Sequence, residues 1–216
     1  HTESLVQDGT LVEAGSLLAI VTGSARSLLA AERVALNLLG QLSGVATATR
    51  ELVDQIAGTS ASLVDTRKTV PGLRALQKAA VQAGGGQNHR MGLYDAVLIK
   101  DNHIAVAGSP EAAVEQARAT VGPGTSIEIE IESTEQLEAV IAAGADIVML
   151  DNMSVNEMRE AVLITDGRCR TEASGGITIA TIREVAKTGV DMISVGWITH
   201  SAPALDVALD LEYLEG

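Results

Sequence analysis

Charged and hydroxyl side chains follow the short apolar runs of this 216-residue chain, in an order that suits the binding of anions. The polar segments are Asp65-Thr66-Arg67-Lys68, Lys100-Asp101-Asn102-His103, Glu128/Glu130/Glu132, Asp151-Asn152, Ser174-Gly175-Gly176 and Ser194-Val195-Gly196. If the runs are parallel strands of a barrel, their carboxyl ends meet at one edge. Cations, carboxylates and glycine turns would then form one site.

Three glutamates alternate with isoleucines, and a period of two places all three on one face of a strand. They are Glu128, Glu130 and Glu132. When helices cover the other face, this face points into a barrel, where carboxylates need partners. The cationic candidates are Arg67, Lys68 and Lys100. Two alternatives stay open: an edge strand with a wet face, and a site where one glutamate and Asp151 hold Mg²⁺ or sugar hydroxyls.

Two glycine-bearing segments, Ser174-Gly175-Gly176 and Gly196, each follow an apolar run and precede a helical pattern. Glycine lets backbone N–H groups approach a phosphate, and the helix dipole favours the anion. The pair therefore predicts a phosphate site. The triplet at 84–86 follows a helix, so it is no dinucleotide fingerprint. We expect it to present His89 and Arg90 inward.

The net charge is −13, yet residues 67–100 carry six cations and one anion. A concentrated basic segment in an acidic protein predicts a focused anion site. Arg74 and Lys78 lie four residues apart on a predicted helix, which favours a solvated basic face for those two.

Apolar runs alternate with helical patterns along most of the chain. The predicted strands are 62–65, 96–99, 127–132, 146–150, 171–174 and 191–195, with a short extra strand near 87–90. The predicted helices are 72–83, 109–120, 134–143, 155–164, 179–188 and 203–211. Six or seven strand–helix units predict an α/β protein with a β/α barrel rather than an open sheet.

The first part of the chain has a different pattern. Residues 1–24 predict short strands joined by turns, and 25–57 predict a helix that Gly40 and Gly44 break or bend. Further on, we expect His103 to cap or orient its neighbours.

Composition excludes several classes of protein. With no Phe, one Trp and two Tyr, base stacking on single-stranded nucleic acid is excluded, and the net charge opposes contact with a phosphate backbone. No apolar run reaches the ~18 residues of a membrane span. One cysteine, Cys169, cannot form an internal disulfide, which predicts a reducing, cytoplasmic location.

Ordered motifs across essentially the whole chain resemble the quinolinate phosphoribosyltransferase family. The matching segments are Glu32-Arg33, Leu36-Asn37, Leu42-Ser43-Gly44-Val45-Ala46-Thr47, Asp65-Thr66-Arg67-Lys68-Thr69, Pro71-Gly72-Leu73-Arg74, 84–90, 99–104, Leu150-Asp151-Asn152-Met153, 172–177 and 194–201. Each is weak alone, but their order and spacing make the resemblance specific.

The resemblance implies an α/β fold: an incomplete seven-stranded β/α barrel preceded by the end of an α/β sandwich domain. Residues 1–24 would be that end, with about a quarter of a typical member missing before it, and 25–216 the catalytic domain. The implied reaction joins quinolinate to 5-phosphoribosyl-1-pyrophosphate with Mg²⁺. It yields nicotinate mononucleotide, pyrophosphate and CO2 for NAD biosynthesis.

The resemblance also implies residue roles. The implied catalytic residues are Lys68, Lys100, Glu130 and Asp151, the last two also as direct or indirect Mg²⁺ ligands. The implied substrate-binding residues are Arg33, Thr66, Arg67, His89, Arg90, Ser174, Gly175, Gly176, Ser194, Val195 and Gly196. Arg33 would reach the site of a neighbouring subunit, so we expect a homodimer or hexamer that binds no nucleic acid and no membrane.

Three positions depart from the family pattern: Gln82, Ala79 and Trp197. They bear on substrate tuning more than on the reaction class.

Three other functions stay open: a related protein of molybdenum transport, a Schiff-base aldolase that uses Lys100, and a phosphate-ligand binding protein without turnover. The full cation set favours the quinolinate enzyme. The acids near Lys100 oppose an aldolase.

Overall fold

A long helix joins a small antiparallel sheet to the rest of the chain. The computed structural model describes residues 1–212. Strands β1 (Thr2–Ser4) and β2 (Ala19–Val21) pair antiparallel and precede helix α1 (Ala25–Gln55). The Ser24 hydroxyl caps α1 by accepting the Ser27 N–H at 3.3 Å. The short strands before residue 25 are thus confirmed. A break of the helix at its glycines is not, because α1 is continuous.

Strands and helices alternate after α1. The strands are β3 (Ser62–Val64), β4 (Val97–Ile99), β5 (Ile127–Ile131), β6 (Ile147–Asp151), β7 (Arg170–Ser174) and β8 (Met192–Ser194). The helices are α2 (Arg74–Ala83), α3 (Asp101–Ala107), α4 (Pro110–Thr120), α5 (Leu137–Ala142), α6 (Val155–Thr165), α7 (Ile182–Ala186) and α8 (Trp197–His200). All six predicted strands are confirmed to within one residue at each end.

The six strands form one parallel sheet in the order β3-β8-β7-β6-β5-β4. Beside β3, Gln87 makes an isolated parallel bridge with Val64, in place of the extra strand predicted near 87–90. Arg90 then reaches across to the other edge, where its Nη1 donates to the Ala96 carbonyl beside β4 at 3.2 Å. The sheet curls into an incomplete barrel, in which residues 87–90 take the place of a seventh strand.

Aliphatic side chains fill the space between the sheet and its helices. In β5 the isoleucines Ile127, Ile129 and Ile131 are fully buried, as are Leu52 of α1 and Leu137 of α5. Because these residues take one face of β5, the alternating glutamates take the barrel face. β5 lies between β4 and β6, so the edge-strand alternative for the glutamates is wrong.

Helix α3 was not predicted from sequence. None of its residues is buried, so it lacks the apolar stripe that periodicity detects. Its first turn is fixed locally, because His103 Nδ1 accepts the Lys100 N–H at 2.9 Å. The prediction that His103 orients its neighbours is confirmed. Within the described residues no helix is long and apolar enough to cross a membrane.

The helix predicted over 203–211 is wrong. This segment has neither helix nor strand and lies against α1, with the Leu205 N–H donating to the Gly40 carbonyl at 2.9 Å. A Cβ on Gly40 would lie 2.7 Å from the Leu205 oxygen, and one on Gly44 only 2.0 Å from the Pro203 oxygen. The two glycines therefore let a second chain segment approach the backbone of α1.

We expect Gly44→Ala to destabilise the protein although alanine favours helix by about 1 kcal/mol. The new methyl group would overlap the Pro203 carbonyl, and such overpacking costs about 1–3 kcal/mol. Urea unfolding measures the loss. Gly122→Ala is the control, since a Cβ there meets nothing within 4 Å. Equal stability of the two variants would contradict the close contact.

Candidate active site

A buried ion pair supports the carboxyl end of β3. Asp65 and Lys78, on α2, are both about 1% exposed or less and are paired through Oδ1 and Nζ. The pair corrects the sequence-based interpretation of Arg74 and Lys78 as a solvated face. Arg74 is likewise engaged, since it donates to the Thr69 hydroxyl and to the Met91 and Arg67 carbonyls.

The same pair holds the segment that carries two of the predicted site residues. Asp65 accepts the His89 N–H at 2.8 Å and the Asn88 amide at 2.7 Å, and Lys78 donates to the His89 carbonyl at 3.0 Å. The glycines before this segment allow it to pass close to α1, because a Cβ on Gly84 would lie 2.3 Å from the Ala46 oxygen. His89 and Arg90 are thereby directed into the barrel mouth, as predicted.

Two guanidinium groups, those of Arg67 and Arg90, are electrostatic neighbours in this mouth. Burial lowers the pKa of Arg90, and the neighbouring positive charge of Arg67 lowers it further. The Arg67 Nε is buried and has no hydrogen-bond partner among the described residues. Two partly desolvated cations with an unused donor form a site for an anion, and guanidinium groups suit carboxylates in particular.

His89 lies behind these cations. Its Nε2 is 2.9 Å from Glu128 Oε2 and 3.2 Å from Glu172 Oε2. Burial opposes a charged ring, but hydrogen bonds and attraction from the two carboxylates outweigh it and raise the pKa of His89 to about 10. The Arg90 N–H points at Nδ1 at 2.8 Å and favours the neutral ring instead. In either state the proton on Nε2 faces the carboxylates.

A mixed group of charges follows at the ends of β4, β5 and β6. Lys100 Nζ pairs with Glu130 Oε2 at 2.8 Å, which confirms the predicted pairing for one of the three glutamates. Burial and the charge of Glu130 raise the pKa of Asp151, while Lys100 and Lys68 oppose the rise. These four predicted residues are therefore electrostatic neighbours. Glu132, in contrast, lies beyond the end of β5 and is exposed.

Asn152 joins this group to the first glycine turn. It has a φ of 54°, in the left-handed region that few non-glycine residues adopt. Its side-chain amide donates to Asp151 Oδ2 at 2.7 Å, and its N–H donates to the Ser174 carbonyl at 3.0 Å. A Cβ on Gly175 would lie 2.2 Å from its Oδ1, so glycine is required there.

The glycine turns leave backbone donors available. Gly175 and Gly176 have φ values of 98° and 60°, and their N–H groups have no acceptor within residues 1–212. Gly196, before α8, approaches Lys68 so closely that a Cβ would lie 3.0 Å from its Cδ. Thr66 accepts the Lys68 N–H at 3.0 Å and so fixes the turn that carries Lys68.

Three predicted residues have other contacts. The Val195 N–H donates to the Val64 carbonyl at 3.1 Å, and the Ser194 hydroxyl lies 3.5 Å from the Ala173 carbonyl. Arg33 is three-quarters exposed on α1, and its ion pair in the described part of the chain is with Glu32 at 3.9 Å. The structure thus does not bring Arg33 into contact with the other site residues.

Sequence analysis missed Glu172, Asn88 and the site role of Lys78. Glu172 had a detectable signal, because it stands at an inward position of a predicted strand, two residues before Ser174. Lys78 had none, since a lysine on an amphipathic helix is ordinarily solvated. Among residues 1–212, His89, Glu128 and Glu172 are the one group of three side chains close enough to share a metal ion.

The fold and site define a β/α barrel protein with a cationic mouth at the carboxyl ends of its strands. Family models identify it further. The model described as "Quinolinate phosphoribosyl transferase, C-terminal domain" matches residues 45–210, and the corresponding N-terminal domain model matches residues 1–43. The chain belongs to the quinolinate phosphoribosyltransferase family.

Individual relatives agree. The chain is 48% identical to a probable nicotinate-nucleotide pyrophosphorylase [carboxylating] of Bacillus subtilis, over 95% of this chain and 71% of that protein. It is 47% identical to the nicotinate-nucleotide pyrophosphorylase [carboxylating] of Mycobacterium leprae, over 95% and 73%. The solved nicotinate-nucleotide pyrophosphorylase of Francisella tularensis superposes with a TM-score of 0.92 at 46% identity, over 95% and 73%.

We expect Lys78→Met to lower the free energy of unfolding by about 3–5 kcal/mol, because it leaves Asp65 charged and buried without its partner. Urea unfolding provides the measurement. Lys187→Met is the matched control: Lys187 pairs with Glu184 at 2.6 Å, but both side chains are about half exposed. Its loss should stay within about 1 kcal/mol. A loss for Lys78→Met no larger than for the control would contradict the structural role of the pair.

Proposed function

We propose that this protein transfers the phosphoribosyl group of 5-phosphoribosyl-1-pyrophosphate to quinolinate. Pyrophosphate and CO2 leave, and the product is nicotinate mononucleotide for NAD biosynthesis. The observation that supports this most is the neighbouring pair of cations Arg67 and Arg90, with the buried and unused Nε of Arg67, beside a group of carboxylates. The pair suits a dicarboxylate, and the carboxylates suit a sugar. The relatives' names describe the same reaction.

The dicarboxylate would occupy the cationic part of the mouth. Arg67 and Arg90 offer guanidinium groups to the two carboxylates, and Lys100 adds an ammonium group from the end of β4. Arg33 of a neighbouring subunit would complete the set, since its exposed position on α1 leaves it available. The protein would then act as a homodimer or a higher assembly.

The phosphoribosyl donor would lie across the glycine turns. The free N–H groups of Gly175 and Gly176 would bind its 5-phosphate, helped by Ser174 and by Gly196 at the start of α8. Ser194 and Val195 shape this wall through their contacts within the sheet. Lys68, positioned by Thr66, would meet the pyrophosphate or the phosphate.

Glu130 and Asp151 would hold the ribose hydroxyls, directly or through Mg²⁺. The donor set fits this ion, because Mg²⁺ takes one or two carboxylates together with water and substrate phosphates. Burial raises the pKa of Asp151 and repulsion from Glu130 raises it further, and a bound cation would relieve this repulsion. When bound, Mg²⁺ would supply charge neutralisation for the pyrophosphate.

Departure of pyrophosphate leaves positive charge on the ribose. Glu130 and Asp151, fixed by Lys100 and Asn152, place preorganised negative charge beside that sugar, which lowers the barrier. No nucleophilic side chain is needed, since the pyridine nitrogen of quinolinate attacks. Once the nitrogen is bonded to ribose, its positive charge stabilises the electron pair that departing CO2 leaves on the adjacent ring carbon, and a proton from water then bonds to that carbon. The protein contributes mainly position and charge.

The alternative functions receive less support. A Schiff-base aldolase needs a desolvated amine, whereas Lys100 is about half exposed and ion-paired with Glu130. For a phosphate-ligand binding protein without turnover, the carboxylates beside the sugar site would have no use.

We also propose a cytoplasmic location, supported by the unpaired Cys169. The domain boundary near residue 24 stays a prediction.

The reaction itself is the direct test. Purified protein with quinolinate, phosphoribosyl pyrophosphate and Mg²⁺ should release CO2 and pyrophosphate in equal amounts, measured from carboxyl-labelled quinolinate and a coupled pyrophosphate assay. Nicotinate serves as the control acceptor, because it lacks the second carboxylate. Pyrophosphate release with nicotinate but not with quinolinate would contradict the proposal, as would binding of both substrates without turnover.

Mixing two inactive variants tests the shared site. Arg33→Ala and Arg90→Ala should each lose most activity, because each removes one cation from the dicarboxylate site. After dissociation and reassembly together, mixed dimers contain one intact site, so about a quarter of the wild-type activity should return. Each variant reassembled alone is the control. No recovery in the mixture would contradict the cross-subunit role of Arg33.

A further inference from the structure

Two carboxylates lie deep inside the barrel, away from the sugar site. Glu128 of β5 is 2% exposed and Glu172 of β7 is 0% exposed. Their shared neighbour is the imidazole Nε2 of His89, at 2.9 and 3.2 Å. Glu128 Oε1 and Glu172 Oε1 have no hydrogen-bond partner among the described residues, and the contact of Glu172 Oε2 there is the His89 ring at 3.2 Å. The pair therefore needs an explanation other than ordinary ion pairing.

Stability does not supply that explanation. Two carboxylates in a barrel interior carry a large desolvation penalty, and one imidazole offsets only part of it. Burial and the neighbouring Glu172 raise the pKa of Glu128, although His89 opposes the rise. Apolar side chains of the same size would cost less in this position. The carboxylates are thus costly to the fold, and their effect is on His89.

The ring of His89 is connected to the cationic mouth. Its Nδ1 lies 2.8 Å from the Arg90 N–H, and the Arg90 Nη1 donates to the Ala96 carbonyl at 3.2 Å. The main chain of His89 is fixed separately by Asp65 and Lys78. The orientation of the ring is therefore what the two glutamates control, and the ring in turn adjoins the backbone of Arg90.

Charge acts in the same direction. Arg67 repels the Arg90 guanidinium, whereas Glu128 attracts it. The charge of Glu128 thus offsets part of the repulsion that Arg67 exerts on Arg90 while no substrate is present. The remaining acid near Arg90 is Asp95, which is exposed and accepts the N–H groups of Met91 and Gly92 at the rim.

We propose that Glu128 and Glu172 are positioning residues of the dicarboxylate site: they hold the Nε2–H of His89, and through this ring and their charge they aim Arg90 at the substrate. This inference rests on the function proposed above. It adds two residues that touch neither substrate, and it assigns them to the quinolinate half of the site alone.

Glu172→Gln is the main test, because it keeps the size of the side chain and removes the charge. We expect KM for quinolinate to rise about tenfold, because the amide oxygen of glutamine can still accept the Nε2–H but the negative charge that strengthens this contact is gone. KM for phosphoribosyl pyrophosphate should change less than about twofold. Glu128→Gln should show the same split. Glu115→Gln, an exposed glutamate on α4, is the control and should change neither value.

A second variant, which should be at least as stable as the wild type, separates an effect on binding from a loss of folding. Glu172→Leu removes a buried charge, so its stability in urea should equal or exceed that of the wild type, yet it should lose quinolinate affinity as Gln does. Equal rises in both KM values, or a quinolinate KM unchanged in both Glu172 variants, would overturn the proposal. So would a stoichiometric metal ion in the wild type that Glu172→Gln loses, because the cluster would then be a metal site.

The wild type is assayed first. If it fails to turn over quinolinate, the proposed function itself is wrong. If it turns over quinolinate and the Gln variants keep its KM, only the positioning role is wrong.

Discussion

The ion pair of Lys78 and Asp65 fixes most of what surrounds the mouth of the barrel. Asp65 directly follows β3 and Lys78 comes from α2, so the pair joins the sheet to a helix through two buried side chains. Asp65 also accepts the Asn88 side-chain amide and the His89 N–H, and Lys78 donates to the His89 carbonyl. The segment that carries His89 and Arg90 is thus held by an ion pair that lies outside the proposed substrate sites. Buried charges that are fully paired and hydrogen-bonded favour one arrangement of the chain, and removal of either partner lowers the stability strongly.

The net charge of −13 and an anionic substrate pair are compatible because charge is arranged locally. Cations occupy the strand ends and the segment beside β3, while carboxylates are divided between two depths. Glu130 and Asp151 lie at the rim, where Lys100 and Lys68 compensate them. Glu128 and Glu172 lie deeper, where a single imidazole faces both. With few aromatic rings in the chain, recognition depends on charge and on backbone amides.

The strands could be predicted from the sequence because each is a short apolar run. The inward face of β5 could be predicted because isoleucine and glutamate alternate along it. Polar residues at strand ends could be assigned to one site for the same reason. What failed was decided by tertiary contact. Lys78 has the pattern of a solvated helix residue, and only the position of Asp65 buries it. Residues 203–211 have a helical period, but this segment is not helical because it packs against α1, where Gly40 and Gly44 allow a close contact between the two backbones.

The contact between α1 and Leu205 also bears on folding. It joins residues about 165 positions apart, and Gly40 and Gly44 leave no side chain there to hold α1 against the sheet before the segment arrives. During synthesis, this side of the helix stays uncovered until residue 205 has left the ribosome. Contacts of such long range slow folding because the chain must close a large loop first. The glycine face of α1 is therefore covered only when the last part of the described chain packs against it.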